Sequence, residues 1–151
     1  MQLTLYTDYS LRVLLYLGQK EAGESATISE IADFYGVSRN HLVKVVHHLA
    51  TLGLLKTTRG KGGGVRLARD PATVTIGEVV RATEPHFHLV ECFDPEAPTC
   101  SVLNDCRLKG VLGEATRAFF SVLDRYTLAD MLQPSTSADE LTIPLNRIRR
   151  G

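Results

Sequence analysis

The chain has 151 residues, of which 44% are hydrophobic and 23% are charged, and its formal charge at pH 7 is zero. This composition is ordinary for one compact globular unit with a helical extension. The sequence contains no run of about 18 apolar residues, which excludes a membrane-spanning helix. The first nine residues lack the layout of a secretory signal, so we expect a cytoplasmic protein with no membrane partner.

Charge is segregated along the chain. Residues 34–69 carry seven Lys or Arg, three His and no Asp or Glu, whereas residues 84–105 carry five carboxylates and no Lys or Arg. A basic block followed by an acidic one predicts that one face of the protein meets a polyanion. A merely solvated charged face is the alternative if no recognisable scaffold carries the basic residues.

The first predicted element is a helix over residues 2–20, where apolar residues recur at helical spacing. Asp8 and Arg12 lie one turn apart on this helix. Taken alone, the two residues are interpreted as a surface ion pair worth about 0.2–0.5 kcal/mol.

Two short helices follow, each with its own start and stop signals. Thr27 and Glu30 have the spacing of a capping box, and Gly36 supplies the left-handed residue that ends the first of these helices. Ser38 is a candidate N-cap for the second helix, and Gly53 closes it. A pair of helices joined by so short a turn predicts a helix-turn-helix.

In a helix-turn-helix the second helix enters the major groove of DNA, and its first residues reach base edges or phosphates. Arginine can bond guanine at two points and asparagine can do the same with adenine, whereas lysine contacts phosphate as readily. The DNA contacts predicted on this helix are Ser38, Arg39, Asn40, His41, Lys44 and His47.

Residues 54–57 and 65–68 are predicted to be short strands on either side of a loop with four glycines. Glycine allows close backbone approach and the two cations of the loop attract phosphate, which are the properties of a DNA-contacting wing. The loop lacks the spacing and the ending of a nucleotide-binding P-loop. The predicted contacts of the wing are Arg59, Lys61 and Gly62.

The three cysteines of the chain, Cys92, Cys100 and Cys106, fall within fifteen residues. Clustered cysteines in a reducing compartment are more often ligands than disulfides, and an odd number leaves one unpaired. Thiolates are the ligands preferred by soft metals and iron–sulfur clusters. Zinc bound with help from His86 and His88 is the alternative, although closely spaced cysteine pairs are absent.

Beyond the cysteine loop, residues 108–126 keep an apolar stripe at helical spacing. This stripe packs either on its own domain or, as we favour, against a second copy in a two-fold dimer. We therefore predict a mainly α fold, a winged helix-turn-helix domain with a small β-hairpin wing and a long C-terminal dimerisation helix. The predicted boundaries are 1–83 for the DNA-binding domain (first helix 2–20, helix-turn-helix 27–53, wing 54–69), 84–106 for the cluster loop, 107–132 for the dimerisation helix with a short following helix, and 133–151 for a flexible tail.

Four segments, residues 7–12, 38–42, 59–64 and the cysteine loop, resemble the winged-helix iron–sulfur regulators. That family includes IscR-type cluster-status sensors, RirA-type iron sensors and nitric-oxide-sensing repressors, and the resemblance extends to about residue 132. Residues 106–109 and 126–130 look most like the nitric-oxide-sensing repressors, because IscR-like proteins carry a histidine shortly after the last cysteine and this chain does not.

The resemblance implies a DNA-binding repressor that binds a palindromic operator as a homodimer. It implies an iron–sulfur cluster on the three cysteines, with [4Fe-4S] favoured over [2Fe-2S], whose nitrosylation or loss releases DNA. A sensor of iron or of cluster status remains the alternative, followed by a zinc-containing DNA-binding regulator.

Three thiolates leave one iron in need of a further ligand. We choose Asp8 of the other subunit as this ligand. Ligation of iron by Asp8 competes with its ion pair to Arg12, so Arg12 is the residue predicted to couple the state of the cluster to the DNA-binding domain. The donors considered for the fourth position are Asp8, Glu84, His86, His88, Glu91 and Asp105.

Other functional classes are disfavoured by the sequence. An electron carrier has no use for a helix-turn-helix with a basic wing. A Ser-His-Asp framework, an HExxH motif and a glycine-rich nucleotide fingerprint are all missing, so we do not expect an enzyme.

Overall fold

The structure, a computed structural model, describes residues 2–60, 62–96 and 106–133. It is mainly helical with one small antiparallel hairpin, which confirms the predicted fold class. The elements are α1 (Leu5–Gly18), α2 (Ile28–Tyr35), α3 (Arg39–Thr51), β1 (Leu55–Thr58), β2 (Gly64–Leu67), a 3₁₀ turn (Pro71–Thr73), α4 (Ile76–Thr83), a second 3₁₀ turn (Glu91–Phe93), α5 (Arg107–Leu123) and α6 (Leu128–Leu132).

Local capping residues determine where most helices begin. The capping box of Thr27 and Glu30 is present in full, with each side chain bonded to the backbone N–H of the other residue. Gly36 ends α2 at φ 63°, a left-handed conformation that glycine adopts without strain. The helix-turn-helix therefore forms from the signals predicted for it.

At two helix starts the capping hydrogen bonds differ from those that the residue spacing indicates. Ser38 occupies the N-cap position of α3, but its hydroxyl makes no hydrogen bond to the helix. Thr75 caps α4 by accepting from the N–H of Glu78, but the Glu78 carboxylate pairs with Arg69 at 2.6 Å instead of returning to Thr75. Ser38 therefore stays exposed without a capping hydrogen bond, whereas the Glu78 carboxylate is engaged by Arg69.

The first helix is shorter than predicted, because the Thr4 hydroxyl accepts from the N–H of Thr7 and starts α1 at Leu5. The strands of the wing are each displaced by one residue from the predicted ranges. β1 pairs with β2 in antiparallel register, with Leu55 opposite Leu67. The backbone of Ala26 bonds to Val65, and this bridge attaches the hairpin to the segment before α2.

A single hydrophobic core forms around α1, which packs against α3, α4 and α6. Leu14 of α1, Ile31 of α2 and Leu42 of α3 are each at most 1% exposed. Leu128 of α6 belongs to the same core, so the chain returns to the winged-helix domain after leaving it through α5. Every helix in the described ranges is too short or too polar to span a lipid bilayer.

We expect Leu128→Ala to lower the free energy of unfolding by about 2–5 kcal/mol, because it empties a core position and leaves a cavity. Leu128 is 1% exposed, and its N–H bonds to the carbonyl of Val74 at 2.8 Å. Urea denaturation monitored by circular dichroism measures the effect. Met131→Ala is the control, because Met131 is 45% exposed on the same helix. Equal small losses for both variants would contradict this packing.

Candidate functional site

The recognition helix α3 separates its two faces clearly. Leu42, Val45, Val46 and Leu49 are buried in the core. The opposite side is open to solvent, as contact with DNA requires. The predicted contacts Ser38, Arg39, Asn40, His41, Lys44 and His47 are all exposed.

Neighbouring helices orient two parts of this exposed face. The Nε of Arg39 donates to the Oγ of Ser29 on α2 at 3.2 Å, which holds the guanidinium at the entrance of α3. The ring of His41 stacks on Tyr9 of α1 with 6.3 Å between centroids. α1 and α2 therefore support side chains that α3 presents, so a movement of either helix changes the recognition face.

The wing carries its cations next to glycine. Arg59 and Gly62 are exposed at the tip of the hairpin. Gly62 has φ 81°, a conformation that L side chains rarely adopt. Lys61, the other cation of the predicted wing contact, lies outside the described residues. The described part of the wing is thus an exposed turn with positive charge, suited to phosphate contact.

Asp8 and Arg12 form the predicted ion pair on α1, with 2.9 Å between Oδ2 and Nη2. The Arg12 guanidinium also lies 5.7 Å from the ring centroid of Tyr35, the last residue of α2. Burial raises the pKa of Tyr35, and Arg12 opposes that rise. Arg12 thereby connects Asp8 to the residue that precedes the turn of the helix-turn-helix.

Two of the cysteines lie near one cleft. Cys92 is on the 3₁₀ turn before residue 94 and lines a cleft of about 640 Å³ that also includes Lys109. Cys106 is the N-cap of α5, and its Sγ accepts from the N–H of Lys109 at 3.4 Å. Both are free, half-buried cysteines. Lys109 therefore connects Cys106 to the cleft that Cys92 lines.

This donor set suits an iron–sulfur cluster, because cysteine sulfur is the soft ligand that such a cluster needs. Cys100, the third predicted ligand, lies outside the described residues. Within the described ranges, no three His, Cys, Asp or Glu side chains of one chain come together, so Asp8 does not join Cys92 and Cys106 there.

The other donors considered for the fourth position lie in different environments. Glu84 accepts hydrogen bonds from Thr4. The rings of His86 and His88 stack on each other, with 4.8 Å between their centroids. Glu91 is exposed, and Asp105 lies outside the described residues.

Several contacts had no signal in the sequence. The Arg81 guanidinium binds both carboxylate oxygens of Asp124, at 2.7 and 2.5 Å, and lies 4.3 Å from the ring centroid of Phe120. This contact fixes α5, which carries Cys106 at its start, against α4. The partners are 43 residues apart, so only the folded chain brings them together.

A helix-turn-helix with an exposed recognition face and a β-hairpin wing defines a winged-helix transcriptional regulator. Residues 3–134 match the Rrf2 family model, whose description is iron-dependent transcriptional regulator. The chain belongs to the Rrf2 family.

Individual relatives agree with this assignment. The chain is 51% identical over 133 residues to the HTH-type transcriptional regulator NsrR of Bacillus subtilis (strain 168), covering 88% of this chain and 91% of that protein. Among solved structures, the global cysteine regulator CymR (YrzC) of B. subtilis matches with a TM-score of 0.72 and 26% identity, over 87% of this chain and 96% of that one. IscR of T. potens matches with a TM-score of 0.68 and 29% identity, over 87% and 86%. These relatives are transcriptional regulators and not enzymes.

Proposed function

We propose that this protein is a cytoplasmic DNA-binding repressor that senses nitric oxide through a labile iron–sulfur cluster, whose nitrosylation or loss releases DNA. The observation that carries the proposal is the placement of Cys92 and the first turn of α5 on one cleft beside a winged-helix domain. The 51% identity to an NsrR regulator supports nitric oxide as the signal, in line with the resemblance found in the sequence.

For DNA binding, α3 is the element that enters the major groove and the wing is the element that contacts phosphate. In the sequence, the basic residues of 34–69 lie in the stretch that includes α3 and the wing. The carboxylates of 84–105 lie in the cysteine loop that follows. Binding driven by phosphate neutralisation weakens with salt, with a log–log slope of about 0.9 per phosphate. We assign residues 1–83 to this DNA-binding domain, whose core also includes Leu128 of α6.

A homodimer through α5 supplies the two-fold symmetry of a palindromic operator. No residue of α5 is fully buried in the single chain, and Leu108 and Val111 are 64% and 61% exposed. The exposed apolar residues alternate at spacings of three and four, which is the seam of a coiled coil. The seam consists of Leu108, Val111, Ala115, Ala118 and Val122.

Cys92, Cys100 and Cys106 are the proposed cluster ligands, with Asp8 of the other subunit as the fourth. When bound, the cluster supplies iron that binds nitric oxide, and we favour [4Fe-4S] over [2Fe-2S] in the sensing form. An oxygen donor at one iron makes that iron more exchangeable than a fourth thiolate would. The Asp8 carboxylate is 40% exposed on α1, so it is accessible to a partner's loop.

Asp8 and Arg12 provide a route from the cluster to the recognition helix. With Asp8 engaged as a ligand, Arg12 loses its carboxylate partner and interacts with Tyr35 alone. With Asp8 released, Asp8 and Arg12 form the 2.9 Å ion pair, and Arg12 then contacts both Asp8 and the ring of Tyr35. The position of Arg12 over the end of α2 therefore depends on the state of Asp8.

We expect Asp8→Ala to change the visible absorption spectrum of the anaerobically purified protein and to weaken its response to nitric oxide. Asp8→Cys is the matched variant, because a thiolate restores a ligand that iron holds more firmly. Spectra and DNA-shift titrations with and without nitric oxide measure both effects. Unchanged spectra and unchanged nitric oxide response in Asp8→Ala would rule out Asp8 as a ligand.

The family description, iron-dependent transcriptional regulator, favours iron or cluster status as the second candidate signal. The same purified protein separates the two signals. Loss of DNA binding on iron limitation but not on nitric oxide assigns the protein to the iron-sensing type. A colourless protein that contains zinc and binds DNA regardless of nitric oxide assigns it to the zinc-containing type.

A further inference from the structure

A polar joint connects the start of α1 to the end of α4. The Glu84 carboxylate accepts from the backbone N–H of Thr4 at 2.7 Å and from the Thr4 hydroxyl at 3.0 Å. The Thr83 hydroxyl donates to the Thr7 hydroxyl at 2.9 Å, and the carbonyl of Val79 at 2.8 Å is the competing acceptor for the same hydrogen. We call these four residues, Thr4, Thr7, Thr83 and Glu84, the α1–α4 joint.

The joint is shielded from water at its centre. Thr7 is 0% exposed and Thr83 is 6% exposed. Hydrogen bonds between buried hydroxyls are costly to leave unmade, so these pairs hold the two helices in one arrangement. Burial alone would raise the pKa of Glu84, but hydrogen bonds from Thr7 and Thr4 outweigh it and keep the pKa below its ordinary value. Glu84 is therefore an ionised acceptor at neutral pH, and charged acceptors form the stronger hydrogen bonds.

The joint lies between the cysteine loop and Asp8, the two parts of the chain that we propose as cluster ligands. Glu84 follows the last residue of α4 and begins the segment that leads to Cys92. Thr7 directly precedes Asp8 on α1. The joint thus links the first residue of the cysteine loop to the first turn of α1 in the same subunit.

We propose that Glu84 is a positioning residue that couples the two cluster sites of the dimer, an inference that rests on the proposed function above. The cysteine loop of one subunit holds one cluster, and the joint ties that loop to the Asp8 that ligates the cluster of the other subunit. Release of one cluster therefore displaces Asp8 from the second, so the two clusters are lost together. Glu84 is not among the proposed ligands, and its part in the coupling is the acceptance by Oε1 of both hydrogen bonds from Thr4.

The test is the distribution of clusters among dimers. The anaerobically purified protein is treated with an iron chelator until half of its cluster is gone and is then examined by native mass spectrometry. Two independent sites would leave about half of the dimers with one cluster. We expect far fewer half-loaded dimers in the unmodified protein, and a rise to about half in Glu84→Ala.

Further variants keep this test decisive. Thr83→Val removes a buried hydroxyl with little change in shape and is expected to act like Glu84→Ala, while Thr83→Ser keeps the hydroxyl and restores the unmodified distribution. Glu21→Ala removes an exposed carboxylate after α1 and is the matched control. A low half-loaded fraction that persists in both Glu84→Ala and Thr83→Val would overturn the inference.

A second readout needs no cluster. In the cluster-free protein, hydrogen exchange at the Thr4 N–H is expected to become about tenfold faster in Glu84→Ala, because the amide loses a charged acceptor. The same loss of protection is expected in the unmodified protein as the pH falls through the depressed pKa of Glu84, because its stabilising effect is present only while it is ionised. Unaltered exchange in Glu84→Ala would also refute the joint.

The outcomes separate the two proposals. An unmodified protein that carries no iron–sulfur cluster refutes the proposed function. An unmodified protein that carries the cluster, but in which about half of the dimers are half-loaded at half occupancy, refutes only the coupling through Glu84.

Discussion

Cys106→Ser is expected to abolish cluster retention while leaving the winged-helix domain folded. A serine hydroxyl does not replace a soft thiolate as an iron ligand. Serine is, however, a preferred N-cap, and Cys106 occupies the N-cap of α5 with its Sγ accepting from Lys109. The substitution thus removes the ligand and preserves the start of the helix.

Visible absorption and iron content after anaerobic purification measure this effect, and thermal unfolding followed by circular dichroism checks the fold. Cys92→Ser is expected to behave in the same way. Ser121→Ala, an exposed position on the same helix, is the control. Iron content equal to that of the unmodified protein in both cysteine variants would contradict the ligand assignment.

The second large effect is expected at Arg39. Arg39→Ala should weaken operator binding about 10- to 100-fold, because a two-point contact to a base is worth about 1–3 kcal/mol. Its guanidinium is held at the start of α3 by Ser29 at 3.2 Å, so it is already oriented before DNA binds. The loss should be specific to the operator and much smaller on a scrambled duplex.

Arg59→Ala at the wing is the informative comparison. A phosphate contact is expected to weaken binding equally on operator and scrambled DNA, and to reduce the salt slope by about 1. Fluorescence anisotropy titrations on both duplexes over a series of salt concentrations measure the two variants, with Arg125→Gln as an exposed cation outside the basic block. If Arg39→Ala and Arg59→Ala lowered affinity equally on both duplexes, α3 would not be reading base edges through Arg39.

Features that depend on residues close together in the chain were predictable from the sequence. The capping box of Thr27 and Glu30, the left-handed Gly36 and the ion pair of Asp8 and Arg12 all formed. Each depends on groups within one helical turn or on the conformation of one residue, so spacing alone identifies them.

Features that depend on competition between partners were not predictable. Glu78 has the spacing of a capping residue, but Arg69, nine residues away, takes its carboxylate. Glu84 has the chemistry of an iron ligand, but its Oε1 accepts a hydrogen bond from the backbone N–H of Thr4, eighty residues away. Spacing shows which partners are nearby in the chain and not which partner the fold brings closer.

The same limit applies to the extent of the domain. Leu128 follows a long helix and was predicted to lie beyond the DNA-binding domain, yet it is 1% exposed in the core around α1. Apolar periodicity identifies the face of a helix that is to be buried, but it does not identify the element that packs against that face. The same holds for the exposed seam of α5: the sequence identifies the apolar face, and we propose that a second copy of the chain packs against it.

The most direct test of the account is anaerobic purification, followed by a visible absorption spectrum and a DNA-shift titration with and without nitric oxide. We expect a coloured protein that binds its operator, loses its cluster absorption on exposure to nitric oxide and releases the DNA at the same time. A colourless protein, or a coloured one whose DNA binding is unchanged by nitric oxide, would contradict it.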